Sequence, residues 1–278
     1  MTEFLKIGDG RIAYDVTGQG PLVVLSHGLG DDRRGWRFLV PVLVEAGFRV
    51  ATPDMRGHGE STTGWASYSR TDVAGDLLEL IRHLGGPAAI VGHSFSGGGA
   101  TIAAATEPGL VRAIAEIGSF TRAQKIDLGA LVRNGRYRKG VSLLLSTALF
   151  RSPGLLKRYL DHAYPGVRPG DYDTFTASLL ADLRRPGRAA VITKMGMSAP
   201  TDAGARLGDV RCPALIINGT LDPDWPDAAA EAAGVVAALP EGLGRVVMID
   251  GAGHYPHAQF PAEVAAALLP FLNEHARG

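Results

Sequence analysis

Ala88-Ala89-Ile90-Val91-Gly92-His93-Ser94-Phe95-Ser96-Gly97-Gly98-Gly99 reads as an apolar strand, a sharp turn and the start of a glycine-rich helix. A strand that turns abruptly into a helix forces the turn residue into a strained backbone conformation, and small neighbours two positions either side let the chains pack there. A serine on such a turn projects its hydroxyl above the sheet, near the positive end of the following helix. This is the geometry of a nucleophile elbow. The usual pattern is Gly-x-Ser-x-Gly, and Ser96 stands where the last glycine belongs. Ser94 is the residue placed on the turn, because the apolar run ends before it, whereas Ser96 already falls in the helix.

Outward from this stretch, residues 22–25, 48–51, 214–217 and 245–248 are further short apolar runs, several bounded by Gly or Pro. With 88–91 they read as strands buried on both faces, the habit of a parallel sheet. Segments of helical period lie between them, at 36–46, 71–85, 95–106, 226–239 and 259–275. In the second, Asp72 gives a cap-like polar start, and Leu77, Leu80, Ile81 and Leu84 form an apolar stripe. Strands alternating with helices imply βαβ units with right-handed crossovers. The opening, 4–16, reads as an antiparallel pair turned at Gly8-Asp9-Gly10.

The alternation breaks between Phe120 and Pro200, where helical segments carry Tyr137, Tyr159, Tyr164, Tyr172 and Phe175 with no clear strand. A helical insertion into an α/β body is the economical reading. Residues 121–200 hold 14 Lys+Arg and 5 Asp+Glu, a charge of +9. Because the whole chain has 28 of each and sums to zero, the remainder is −9. Overall neutrality removes the electrostatic footprint of a nucleic-acid binder. At 278 residues a sizeable core can be buried without a disulfide or metal staple. One cysteine, Cys212, excludes an internal disulfide framework and a thiolate-rich metal site. No basic segment followed by an apolar one opens the chain, and no apolar run approaches the roughly 20 residues of a membrane helix. A soluble, cytoplasmic protein with no membrane partner is expected.

Four more motifs follow the strands in order. Ser26-His27-Gly28-Leu29-Gly30 comes after the third strand, and Asp54-Met55-Arg56-Gly57-His58-Gly59-Glu60-Ser61 after the fourth. Gly219-Thr220-Leu221-Asp222 and Gly251-Ala252-Gly253-His254 follow two late strands. Together with the elbow, these resemble the α/β-hydrolase superfamily along essentially the whole chain. The resemblance implies an α/β fold, a mostly parallel central sheet of about eight strands flanked by helices, with an inserted helical cap. Residues 1–119 and 201–278 would form the hydrolase core and 120–200 the cap. The loop at His27 matches the family's His-Gly-x-Gly type, and the loop at Asp54 its Asp-x-Arg-Gly-x-Gly-x-Ser type.

The chemistry implied needs these residue types. A serine hydroxyl is a poor nucleophile until a base takes its proton, and neutral imidazole suits that task near pH 7. A carboxylate behind the imidazole fixes its tautomer and stabilises the imidazolium that forms. The resemblance assigns Ser94 as nucleophile, His254 as base and Asp222 as acid, in the order this fold expects. It assigns the backbone N–H groups of Leu29 and Phe95 to the oxyanion hole. Asp224 and Asp227 are rivals of Asp222; Asp224 is expected to be a solvated loop acid. His257 is the rival of His254 and is expected to face away. His27, His58 and His93 are expected to bond loop backbone. His83, His162 and His275 have no partner at ligand spacing, so no metal site and no cofactor are expected.

Epoxide hydrolases and haloalkane dehalogenases of this superfamily carry an aspartate at the elbow, so Ser94 points away from them. Ester, thioester, lactone, peptide and carbon–carbon cleavage remain, with cofactor-free perhydrolysis. Peptidase relatives carry a propeller or longer insertion for which this length leaves no room. The expectation is a hydrolase of a small carboxylic ester, thioester or lactone. Its alternatives are a carbon–carbon hydrolase of a dioxo compound and a ligand sensor with slow turnover. Trp36, Leu143, Leu144 and Trp225 are the candidate pocket residues, favouring a small-molecule substrate with an apolar part. The +9 segment adds the option of an anionic substrate, such as a coenzyme A thioester, or an acidic carrier protein. Solvated arginines facing water are the plainer account of that charge.

Overall fold

The computed structural model describes residues 1–123 and 126–277; Gln124 and Lys125 of the insertion stretch, and the terminal Gly278, lie outside the described residues. Eight strands form one sheet: β1 (Glu3–Ile7), β2 (Gly10–Thr17), β3 (Leu22–Ser26), β4 (Arg49–Pro53), β5 (Ala88–His93), β6 (Val111–Ile117), β7 (Ala214–Gly219) and β8 (Gly244–Ile249). Their spatial order is β1-β2-β4-β3-β5-β6-β7-β8. β1 pairs antiparallel with β2, and β2 with β4. The other neighbours are parallel.

The apolar runs of β3, β5 and β7 are buried at every position. Side chains alternate across a strand, so each run feeds two cores. Leu22, Val24, Ile90 and Ile216 meet Leu77, Leu80 and Ile81 of α2 (Arg70–His83) and Ala100 and Ala103 of α3 (Phe95–Thr106). Val23, Leu25, Val91 and Ile217 meet Leu39 and Leu43 of α1 (Leu39–Glu45) and Val264, Leu268 and Phe271 of α12 (Pro261–His275). Cover on both faces is what permits strands this apolar. Helix α2 starts at a capping box, with Asp72 N–H donating to Ser69 Oγ at 3.1 Å and Ser69 N–H to Asp72 Oδ2 at 2.7 Å.

Three details depart from the sequence reading. The run at 245–248 lies in β8, an edge strand whose Arg245 and Val246 are exposed, so it is not buried on both faces. β6 is a full strand outside the apolar runs named above. The segment 259–275 is two helices, α11 (Pro256–Gln259) and α12, because Pro261 opens a new one. Between β6 and β7 the chain forms α4 (Leu128–Arg133), α5 (Gly135–Phe150), α6 (Pro153–Ala163), α7 (Tyr172–Leu183), α8 (Arg188–Gly196) and α9 (Thr201–Gly204). The last helix of the sheet layer before β8 is α10 (Ala228–Ala238). Among the described residues no helix is long and apolar enough to cross a membrane.

Candidate active site

Ser94 stands between β5 and α3 at φ 53° and ψ −116°. A side chain in this region is strained, and the surroundings hold it there. Ser94 N–H donates to Ile117 O at 2.9 Å, and Ser94 O accepts from Phe120 N–H at 3.1 Å. Gly92 is required below the turn, since a Cβ there would meet Ser96 O at 2.6 Å and Gly97 Cα at 2.8 Å. Ser96 lies in the first turn of α3, and its hydroxyl is committed to the backbone. It sits 2.6 Å from Ser26 O and 3.0 Å from His93 O and accepts from His93 N–H at 3.1 Å.

The loop after β3 presses against this turn: a Cβ on Gly28 would fall 3.0 Å from Ser94 Cβ. His27 fixes that loop, donating from Nδ1 to Gly28 O at 2.8 Å while its Nε2 accepts from Met55 N–H at 2.9 Å. His58 does the same from the β4 loop, accepting from Gly30 N–H at 3.2 Å. Burial pushes both imidazoles down, His58 to about 3, so they serve as neutral hydrogen-bonding groups. Among the described residues the Leu29 and Phe95 amides make no hydrogen bond.

Asp222 and His254 come together. Gly219 ends β7, where a Cβ would lie 2.3 Å from the carbonyls of Ala252 and Gly253, so only glycine lets the two loops meet. His254 donates from Nδ1 to Asp222 Oδ2 at 2.9 Å, and both side chains are buried. On the other side of His254, its carbonyl accepts from His93 Nε2 at 2.9 Å and the two rings lie 4.9 Å apart. Gly118, next to the Ile117 carbonyl that holds Ser94, would place a Cβ 3.2 Å from His254 Nδ1. Thus Ser94 and His254 flank the same turn. Among the described residues the Ser94 hydroxyl has no hydrogen-bond partner, so its link to His254 is not made here; such bonds often tighten only with substrate bound.

Two expectations need correction. Asp224 is no solvated loop acid: it is 3% exposed, its Oδ2 is 3.3 Å from His254 Nδ1, and it accepts from the Tyr159 hydroxyl at 2.6 Å. His257 does not face away. Its buried ring lies 4.6 Å from both Trp36 and His93, because α11 turns it back under the elbow. The alternation of acids across Pro223 was the available sign for Asp224; nothing in the sequence marked Tyr159, 65 residues earlier in the chain.

Of the candidate pocket residues, Trp36 lies in the core between the sheet and α1 and α12. Leu143 and Leu144 pack in the cluster that holds Tyr159 and Tyr255, and Trp225 stacks 4.8 Å from Phe120. Phe120 in turn lies 6.0 Å from His254. A cleft of about 290 Å³ beside the β4 loop is lined by Asp32, Arg33, Asp54, Glu60, Asp182 and Arg185 among others, and touches none of the candidate catalytic residues. Asp31, His93 and His257 bring three donor atoms within 4.8 Å of one another, as do Asp222, Asp224 and His254. The sequence reading had paired Asp222 with His254, but nothing in it marked the first group.

Residues 23–267 match the alpha/beta hydrolase family. The chain is 27% identical to a protein named epoxide hydrolase A from Mycobacterium tuberculosis, over 91% of this chain and 90% of that one. A thermophilic esterase from Thermogutta terrifontis superposes with a TM-score of 0.74 at 23% identity, covering 99% of this chain and 98% of that one. The enol-lactonase from Burkholderia xenovorans gives 0.77 at 20%, covering 98% and 100%. Both structures share the fold.

Proposed function

Since the chain belongs to the alpha/beta hydrolase family and is a hydrolase, we propose that it cleaves a small carboxylic ester, thioester or lactone through an acyl-enzyme on Ser94. The observation that carries this reading is a buried imidazole whose Nδ1 is held by a carboxylate at 2.9 Å and whose carbonyl is bonded by His93, the residue before a serine held at positive φ. In the first step Ser94 Oγ bonds to the carbonyl carbon and its proton passes to His254 Nε2. Asp222 keeps the tautomer that leaves Nε2 free and stabilises the imidazolium. The Leu29 and Phe95 N–H groups donate to the oxyanion, each contributing about 2.7–4 kcal/mol. The carbon–leaving-group bond then breaks and the leaving group takes the proton from His254. Water then attacks the acyl carbon, giving a proton to His254; the bond to Ser94 Oγ breaks, the acid leaves, and His254 returns the proton to Ser94. No cofactor enters these steps. The helices between β6 and β7 act as the cap in this reading, and their apolar cluster suits an apolar acyl or aryl part.

The likeness to epoxide hydrolase A favours epoxide opening as the second reading. The two are separated by a panel of nitrophenyl esters, thioesters, lactones and styrene oxide run with Ser94→Ala. Ester turnover should fall by about 10⁶-fold in kcat in the variant. Epoxide turnover that exceeds ester turnover and survives in Ser94→Ala would select the second reading. An anionic and a neutral ester compared across a salt series test the +9 segment: loss of the anionic preference with salt ties it to substrate choice, and equal rates remove that role.

A further inference from the structure

We propose that Asp224 is a second positioning acid for His254, sharing Nδ1 with Asp222 and held in place by Tyr159 of α6. The inference rests on the serine-hydrolase reading above. His254 Nδ1 donates to Asp222 Oδ2 at 2.9 Å, and Asp224 Oδ2 stands 3.3 Å from the same nitrogen, within ion-pair reach. The pair is not an accident of mobile side chains. Asp224 N–H donates to Asp222 Oδ1 at 3.0 Å, and Tyr159 donates its hydroxyl to Asp224 Oδ2 at 2.6 Å. Asp222 and Asp224 side chains are wholly buried and Tyr159 is 4% exposed, so the cluster is shielded from bulk solvent. A further contact comes from the same helix, where Ala163 O accepts the His254 N–H at 3.0 Å. Helix α6 therefore grips both the base and its second acid.

Two carboxylates in one dry site resist joint ionisation. Burial raises the Asp224 carboxyl and Asp222 raises it further, against the pull of His254 and Tyr159. Its Oδ1 has no hydrogen-bond partner among the described residues. Burial acts to lower His254, but Asp222 and Asp224 outweigh it and hold the imidazole above the ordinary histidine range. Asp224 thus adds to the stabilisation of the imidazolium formed during attack, and it is positioned to accept the Nδ1 hydrogen bond when Asp222 is removed.

His254 is faced by Asp222 and Asp224 from the loop after β7, Tyr159 from α6, His93 from β5, Tyr255 from its own loop and His257 from α11. Burial holds both tyrosines protonated and both neighbouring histidines neutral, and Asp31, pushed up to about 8 by burial and Asp32, lies beyond His93 and His257. Asp31 is common to all the variants below, so differences among them report the two acids.

The test is a cycle of Asp222→Asn, Asp224→Asn and the double variant, each crossed with Tyr159→Phe, using nitrophenyl butyrate and confirming first that activity is lost in Ser94→Ala. Removing the acid behind a catalytic imidazole usually lowers kcat by about 10⁴-fold. Here that loss is expected only in the double variant, with Asp222→Asn alone losing about 10²-fold. The neutral imidazole is the base, so activity rises with pH through the His254 pKa, and Asp224→Asn should move that limb to lower pH. Tyr159→Phe should deepen the defect of Asp222→Asn and add nothing to Asp224→Asn. Independent of turnover, the NMR titration of His254 in a Ser94→Ala background should show its pKa falling with either substitution. Full loss in Asp222→Asn alone, or an unmoved His254 titration in Asp224→Asn, overturns the inference while the hydrolase reading stands. Activity that survives Ser94→Ala overturns both.

Discussion

Ser96 has given its hydroxyl to the backbone beneath the elbow, and the Ser94 hydroxyl has no partner among the described residues. Replacing Ser96 by alanine leaves the buried His93 N–H without its acceptor, an effect of about 1–3 kcal/mol. Thermal unfolding should register that loss, while labelling by a fluorophosphonate persists; labelling lost in Ser96→Ala, with the fold intact, would place the nucleophile at the wrong serine. At this scale the sequence was informative where a residue type is dictated by backbone geometry. Gly92, Gly219 and Gly253 each sit where a Cβ would collide with backbone within 2.6 Å, and each was part of a quoted motif. It was silent where a role depends on what arrives from elsewhere in the chain. Asp224 reads as an ordinary loop acid until Tyr159 is brought against it, and His257 as a spare histidine until α11 turns it toward Trp36 and His93.

Between elements, the β4 loop is tied to α2 by Arg56 and Asp76. Arg56 Nε and Nη2 donate to the two oxygens of Asp76, each at 2.7 Å, with both residues buried. Removing one partner of such a pair leaves a desolvated charge, so Asp76→Ala should destabilise the fold by about 3 kcal/mol, Asp72 remaining at 3.1 Å as partial compensation. Urea unfolding measures this, and a midpoint unchanged from wild type would show that the ion pair is not holding the loop. The strands of continuous apolar sequence were legible because nothing polar interrupts them. β6 was not, because Glu116 stands inside it. That glutamate accepts from Thr101 of α3 and from Ser119 and Thr121 after the strand, so its burial is satisfied by groups no local pattern connects to it. β8 misled for the opposite reason: Val246 and Val247 look like core residues, yet the strand has a neighbour on one side only.

Across the whole molecule, the strand order reverses around β3, and open α/β sheets bind ligands outside the carboxyl ends of strands at such a reversal. The loop of Leu29, the turn of Ser94, the acids at 222 and 224 and the imidazole at 254 all follow carboxyl ends of strands in this sheet. The order of motifs along the chain was enough to place these loops after strands. The way α6 reaches toward His254, through Tyr159 and the Ala163 carbonyl, was not legible there, because helical periodicity locates a helix without saying what it touches. The central claim is that Ser94 is an activated nucleophile. The most direct measurement is to treat the folded protein with a fluorophosphonate, digest it and locate the adduct by mass spectrometry. The account predicts one adduct, on Ser94, absent in Ser94→Ala and formed far more slowly in His254→Ala. An adduct on another residue with Ser94 unmodified, or none on the intact fold, would contradict it.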